Sequence, residues 1–240
     1  MAEQEVVKHT KAVYKAWNNP HTGWKHKLKE ILVEILIIVF AVSLSIWLHG
    51  LSEKSHNRHE AEAFLTGLRT DLQRDVQEMK NDMASYREVL YGSRYFAKVA
   101  YGDTLNTDSL NNYKFLFHNT TMLSPNTSRF EGLKASGKLD IIEQKELLAD
   151  ILDFYQENIP FLNMLNQGFN SYKTGVLGVY LDQNLVVDKN DNGNWLQVLR
   201  TPYMQNALRR SNGIEEILLQ YKATIDEANK IIAEIDKEYK

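Results

Sequence analysis

Ile31-Leu-Val-Glu-Ile-Leu-Ile-Ile-Val-Phe-Ala-Val-Ser-Leu-Ser-Ile-Trp-Leu48 is an apolar run with one charge, Glu34, and neither Gly nor Pro. Wound as an α-helix at about 1.5 Å per residue it reaches roughly 27 Å, enough to cross a hydrocarbon core about 30 Å thick. No other apolar run in the 240 residues has spanning length. The expectation is therefore a basic cytoplasmic tail (1–30), a transmembrane helix (31–48), a helical stalk (49–60) and a large water-facing remainder (61–240).

Everything outside the run is ordinary water-soluble material. Hydrophobic residues make up 43% of the chain and charged residues 25%, and the mean hydropathy is −0.41, which excludes a polytopic membrane protein. A net charge of −3 with no basic stripe argues against a nucleic-acid partner. The chain has no cysteine, so disulfides, thiolate metal sites and a cysteine nucleophile are excluded. About thirty residues precede the apolar run, more than a usual signal-peptide n-region. Bulky Trp47 and Leu48 also follow the weak small-x-small pattern Ser43-x-Ser45. An uncleaved anchor is the expectation, ahead of a signal peptide or a buried soluble helix.

Charge sets the expected orientation. Lys8, Lys11, Lys15, Lys25, Lys27 and Lys29 stand before the run against three glutamates, while only Lys54 and Arg58 stand in residues 49–64 against Glu53, Glu60 and Glu62. The lysine excess marks the N-terminal side as cytoplasmic and sends residues 49–240 across, with Trp17, Trp24 and Trp47 as interfacial anchors. Val6, Val13 and Trp17 share one helical face before Asn18-Asn19-Pro20. That pattern fits either a short amphipathic helix on anionic lipid or a disordered basic tail.

Beyond Gly50 the periodicity is helical. Ala61, Leu65, Leu68, Leu72, Val76, Met79, Met83, Tyr86 and Leu90 recur at spacings of three and four, predicting one helix that runs from the membrane to about residue 100 and ends at Gly102-Asp103. Asp108 or Ser109 is the predicted cap of a short helix, 119–126 a loop, and 128–135 a helix stopped by Gly137. A second long helix is expected from about Glu143, broken or kinked at Pro160. A loop follows over 182–195, then a short helix near 203–210. Ile214, Ile217, Tyr221, Ile225, Ala228, Ile232, Ile235 and Tyr239 predict the last helix. No stretch alternates with period two. The fold class expected is all-α: one N-terminal transmembrane helix followed by an antiparallel periplasmic helical bundle in which the first and last helices pack together.

Two segments carry a resemblance. Lys27-Leu-Lys-Glu-Ile-Leu-Val-Glu-Ile-Leu-Ile-Ile-Val, running on to Trp47, and Phe130-Glu-Gly-Leu-Lys-Ala-Ser-Gly-Lys-Leu-Asp-Ile-Ile, running on to Tyr155, resemble recurrent stretches of a family of single-pass membrane proteins of Gram-negative bacteria. That family has no assigned activity. Over residues 26–160 the resemblance implies an inner-membrane anchor with a helical periplasmic domain, and no mechanism. Where the family often has a small residue near mid-span, this chain has Phe40.

Signals for chemistry are few. Asp188-x-Asn190-x-Asn192-Gly193 imitates the start of a calcium loop, but its ninth and twelfth positions are Leu196 and Leu199, and the same residues make ordinary turns. His49, Glu53, His56 and Glu60 share a helical face that could hold Zn²⁺ in an oligomer or decorate a solvated stalk. His118 is the only histidine past residue 59, and no phosphate loop or hydrolase motif is present. Asp103-Thr104-Leu105 and Asp108-Ser109-Leu110 resemble a bacterial O-glycosylation tripeptide. No catalytic residue, cofactor or metal is expected. Within the span, Glu34, Ile38, Ala41 and Ser45 share a small, polar face suited to an intramembrane helix contact. The reading is a non-enzymatic membrane protein whose partners are the bilayer and either its own copies or a membrane-protein complex. A ligand-sensing bundle that signals through a separate membrane partner is the alternative, since a thirty-residue tail holds no effector.

Overall fold

A computed structural model of the chain describes residues 24–189 and 192–239, with Val7, Lys11 and Tyr14 from the tail. The tail face of Val6, Val13 and Trp17, read as either an amphipathic helix or a disordered tail, lies outside the described residues. The chain divides into two units, Met1–Glu60 and Ala61–Lys240, and α1 (Trp24–Ala100) contributes to both. Among the described residues the protein is helical, with no strand; Val187 and Gly193 form one isolated antiparallel bridge.

Among the described residues one helix, α1, is long and apolar enough to cross a membrane, and none of its most apolar 18-residue window is buried. Within it Ile31, Glu34 and Ile38 are half-buried, and the residues from Val39 to Leu51 are exposed.

The second unit closes its own core. From Ala61 onward α1 buries Leu65, Leu68, Leu72, Val76, Met79, Tyr86 and Leu90, as its periodicity predicts, and only Met83 of that seam is half-buried. Gly67 allows a close approach: a Cβ there would meet the Arg129 guanidinium at 2.3 Å, and Arg129 Nε lies 2.9 Å from Asp71 Oδ2. The helix ends at Ala100, where Gly102 takes a φ of +128°, a conformation costly for any residue with a Cβ.

Next come α2 (Thr107–Tyr113), a 3₁₀ turn (Lys114–Phe117) and α3 (Ser128–Ala135). The cap of α2 is Asn106, whose Oδ1 accepts from Ser109 N at 2.9 Å; Asp108 and Ser109, the expected caps, lie inside the first turn. α3 has its predicted bounds, and Gly137 follows at φ +71°.

Pro160 neither breaks nor sharply ends its helix. α4 (Lys145–Asp153), a π turn (Phe154–Asn158), α5 (Ile159–Tyr172), a second π turn (Lys173–Gly178) and α6 (Val179–Asn184) follow one another without a gap. The wide turn just before Pro160 absorbs the amide that proline cannot donate. The π turns also keep Ile151, Tyr155, Ile159 and, further on, Phe169, Lys173, Leu177 and Leu181 on the buried side; a regular α-helix would rotate a four-residue spacing away from the core. The helix thus extends into the region expected to be loop from residue 182.

A short α7 (Trp195–Leu199), α8 (Pro202–Arg210) and α9 (Ile214–Glu238) complete the unit. α8 is capped by Thr201, whose hydroxyl accepts from Met204 N. On α9 the buried seam takes Thr224 and Ile231 as well as the predicted Ile214, Ile217, Tyr221, Ile225, Ala228 and Ile235; Ile232 and Tyr239 are half-buried. Contacts between α1 and α9 run in sequence: Arg69 Nε to Asp236 at 2.7 Å, Tyr221 to Asp82 at 2.9 Å, and Arg94 to Glu215.

Candidate functional site

The least ordinary chemistry of the second unit lies on its buried polar side chains. Along α5 and the π turn after it, the core positions read Ile159, Leu162, Asn166, Phe169, Lys173, Leu177: two polar residues stand where the helical phase demands apolar ones. Asn166 Nδ2 donates to the Tyr221 hydroxyl at 2.9 Å, and that hydroxyl donates to Asp82 Oδ2 at 2.9 Å. Tyr86 lies against both Phe169 and Tyr221, with ring centroids 5.9 and 5.7 Å away. Burial pushes the phenols of Tyr86 and Tyr221 well above their usual range and raises the Asp82 carboxyl. Oδ1 of Asn163, Asn166 and Asn170 are buried acceptors that meet no protein donor.

Above this seam runs the segment 119–126, read from sequence as a loop. It is an extended strap with no backbone ladder. Side chains of two helical stretches hold its main chain instead. From α1, Tyr86 Oη donates to Thr121 O at 3.0 Å, Glu78 Oε1 accepts from Ser124 N at 2.8 Å, and Asp75 Oδ1 accepts from Asn126 N at 3.1 Å and Nδ2 at 2.6 Å. From the other side, Asn170 Nδ2 donates to Thr121 O at 2.9 Å, Tyr155 Oη to Asn126 O at 3.4 Å, and Lys173 Nζ to Asn119 O. Leu123, 2% exposed, enters the core, while Met122 beside it faces out.

Two of these clamps are charged residues sealed from solvent. Asp75 is 0% exposed and Lys173 2%. Burial raises the Asp75 carboxyl, against the lowering effect of the Asn126 hydrogen bonds, and holds the Lys173 ammonium down to about 8. Lys173 Nζ also lies 5.7 Å from the centre of the Phe169 ring, a cation–π contact. Spacing alone could have flagged Asn166 and Lys173, because both fall in phase with an apolar seam. Asp75 sits beside Val76 and Leu72 and reads as a surface residue until the strap is seen over it.

Surface clefts among the described residues include a pair lined mainly by polar side chains. One, about 580 Å³, lies between the start of α4 and the end of α9, lined by Gln144, Lys145, Glu146, Leu147, Glu234, Lys237 and Glu238. Burial and then the Asp150 charge raise the Glu234 carboxyl there. The other, about 400 Å³, is lined by Asp71, Asn126, Ser128 and Arg129. Among the described residues no group of three or more His, Asp or Glu side chains is placed to hold a metal ion.

Of the residues picked for the membrane face, Glu34 and Ile38 are half-buried and Ala41 and Ser45 exposed. Trp24 and Trp47 are exposed, and Trp17 lies outside the described residues. On the stalk face, His56 Nε2 lies 3.9 Å from Glu60 Oε2. In the calcium-like stretch, Asn190 lies outside the described residues. Around it Asp188 N donates to Asn192 O at 2.8 Å, Asp188 Oδ1 accepts from Asn192 N at 3.0 Å, and Asn194 Oδ1 accepts from Val186 N. These bonds lie beside the Val187–Gly193 bridge. Comparison of the chain with protein-family models, curated proteins and solved structures finds no match.

Proposed function

We propose that this is a non-enzymatic, single-pass inner-membrane protein. Its apolar helix spans the bilayer with the N-terminus cytoplasmic, and its periplasmic domain, an antiparallel helical bundle, docks partner proteins or other copies of the chain. The observation that carries this reading is the apolar window of α1, none of which is buried, while the second unit fills its core from its own residues. An exposed apolar helix of that length needs a hydrocarbon medium. The lysine excess before the span supports the orientation. The pairings Arg69–Asp236, Asp82–Tyr221 and Arg94–Glu215 support an antiparallel arrangement of α1 and α9.

Docking is favoured over ligand sensing because the core between the helices is occupied by Tyr86, Tyr221, Phe96, Phe117, Phe130 and Phe154. A small-molecule sensor would present an enclosed apolar pocket with a few converging polar groups. In the span, the face of Glu34, Ile38, Ala41 and Ser45 is the proposed helix contact, since small and hydroxyl residues allow close approach in lipid.

The test is crosslinking of the full-length chain in its native membrane from single cysteines, one at Ser45 in the span and one at Leu219, which is 69% exposed on α9. Docking requires discrete adducts from both positions. Glu34→Ala should remove the Ser45 adduct while the thermal transition of the domain stays in place. Monomer alone from both positions would overturn the proposal.

A further inference from the structure

The strap over residues 119–126 is held as a bound peptide is held. Its main chain is read by side chains from both walls of a groove: donors Tyr86, Asn170, Tyr155 and Lys173 meet carbonyl oxygens, and acceptors Asp75 and Glu78 meet amides. One apolar side chain, Leu123, anchors it, and its neighbour Met122 points away. That alternation of a pocketed and an exposed side chain is how extended peptides are recognised. Sequence-local turns, which fix most loops, contribute little here: within 119–126 only Asn119, at its start, gives its amide to a nearby carbonyl, Phe115 O.

The closed strap also carries a cost. Asp75 and Lys173 are both sealed from water, and among the described residues neither meets an oppositely charged group. Burying an ion without a counter-charge is expensive even when it is hydrogen-bonded. Lifting the strap would remove the main-chain partners of both ions and open them to water. The groove would then offer its donors and carboxylates to another main chain.

We infer that the strap is a self-ligand. It leaves its seat while the domain stays folded, and an extended peptide segment of a partner protein with one apolar anchor residue takes its place. This deepens the docking reading and rests on it.

Lys173 is a native reporter of the seat, because its amine is buried and donates to Asn119 O at the start of the strap. The full-length protein in detergent micelles is treated with an acetylating ester, and modification of Lys173 is followed by mass spectrometry against Lys222, whose side chain is 67% exposed. Leu123→Ala should raise the Lys173 rate at least about tenfold without changing Lys222, and thermal unfolding should remain cooperative. A synthetic peptide of residues 118–127 should then slow Lys173 modification again. In a separate variant, Thr121→Cys and Asn170→Cys bridged by a short bismaleimide should suppress the Lys173 reaction below the wild-type rate, which decides the matter even where Leu123→Ala does not fold. An unchanged Lys173 rate in the bridged protein would overturn the lifting strap, and a peptide without effect on an opened seat would overturn the self-ligand. No partner is needed for any arm, so failure here is distinct from failure to crosslink in membranes.

Discussion

The hydroxyl of Tyr221 on α9 donates to Asp82 Oδ2 on α1 at 2.9 Å while accepting from Asn166 Nδ2 at the same distance. One phenol therefore joins three helical segments, and its ring is 0% exposed. Tyr86 has a weaker hold: its hydroxyl donates to Thr121 O, which Asn170 also serves.

Tyr221→Phe should accordingly destabilise the domain by about 1–3 kcal/mol, because it strips Asp82 of a donor and leaves a buried amide unpaired. Tyr86→Phe should cost only about 0.5–1.5 kcal/mol, since the carbonyl keeps its second donor. Denaturant unfolding of the full-length protein in micelles measures both. A Tyr86→Phe loss larger than that of Tyr221→Phe would contradict the network.

The seam of α1 makes a simpler prediction. Leu72 is 0% exposed and Gln73 beside it is exposed. Leu72→Ala should cost roughly 2–5 kcal/mol and Gln73→Ala no more than about 0.5. Equal effects of the two substitutions would place the seam wrongly.

Lys173 predicts a pH dependence. Burial lowers its ammonium from the usual 10.5 to about 8, so between these values the folded chain holds less proton than the unfolded one. The stability due to its neutral form is complete above the unfolded value and is lost as pH falls toward about 8, so stability rises with pH across that window. The slope should reach at most about 1.4 kcal/mol per pH unit. Above about pH 10 the buried phenols of Tyr86, Tyr155 and Tyr221, whose values are all raised, oppose the rise, because they ionise first in the unfolded chain. Unfolding at pH 7.5, 8.5 and 9.5 should show the increase in the wild type and its absence in Lys173→Met. Parallel curves would show that Lys173 is solvated.

Much of this architecture is legible in the sequence. Apolar spacing marks α1 and α9 down to Leu65, Leu68, Leu72, Ile217 and Tyr221, and turn chemistry bounds α3 through Gly137. The failures have physical causes. Pro160 reads as a break only if the helix stays regular; the π turn Phe154–Asn158 admits it. The same device after Tyr172 leads into α6, which ends at Asn184 inside a region rich in turn residues. On α9 the spacing selects Ile232, whereas the structure buries Ile231 and leaves Ile232 half-buried, because neighbouring apolar residues leave the helical phase ambiguous by one position. Of the buried polar side chains, Asn166 and Lys173 could be found by asking which core positions are polar. Asp75, Glu78 and Tyr155 could not, because their partner is a strap whose course no periodicity encodes.

Orientation of the span carries the account as a whole, and the absence of cysteine makes it directly measurable. Single cysteines are introduced at Ala2 and at Asn192, the latter exposed in the second unit. A membrane-impermeant thiol reagent is then applied to intact inner membranes in cells with a permeabilised outer membrane. A cytoplasmic N-terminus and a periplasmic domain require labelling at position 192 and none at position 2 until the inner membrane is lysed. Labelling at position 2 alone, or of both positions equally before lysis, would contradict a single-pass protein that presents its helical domain to the periplasm.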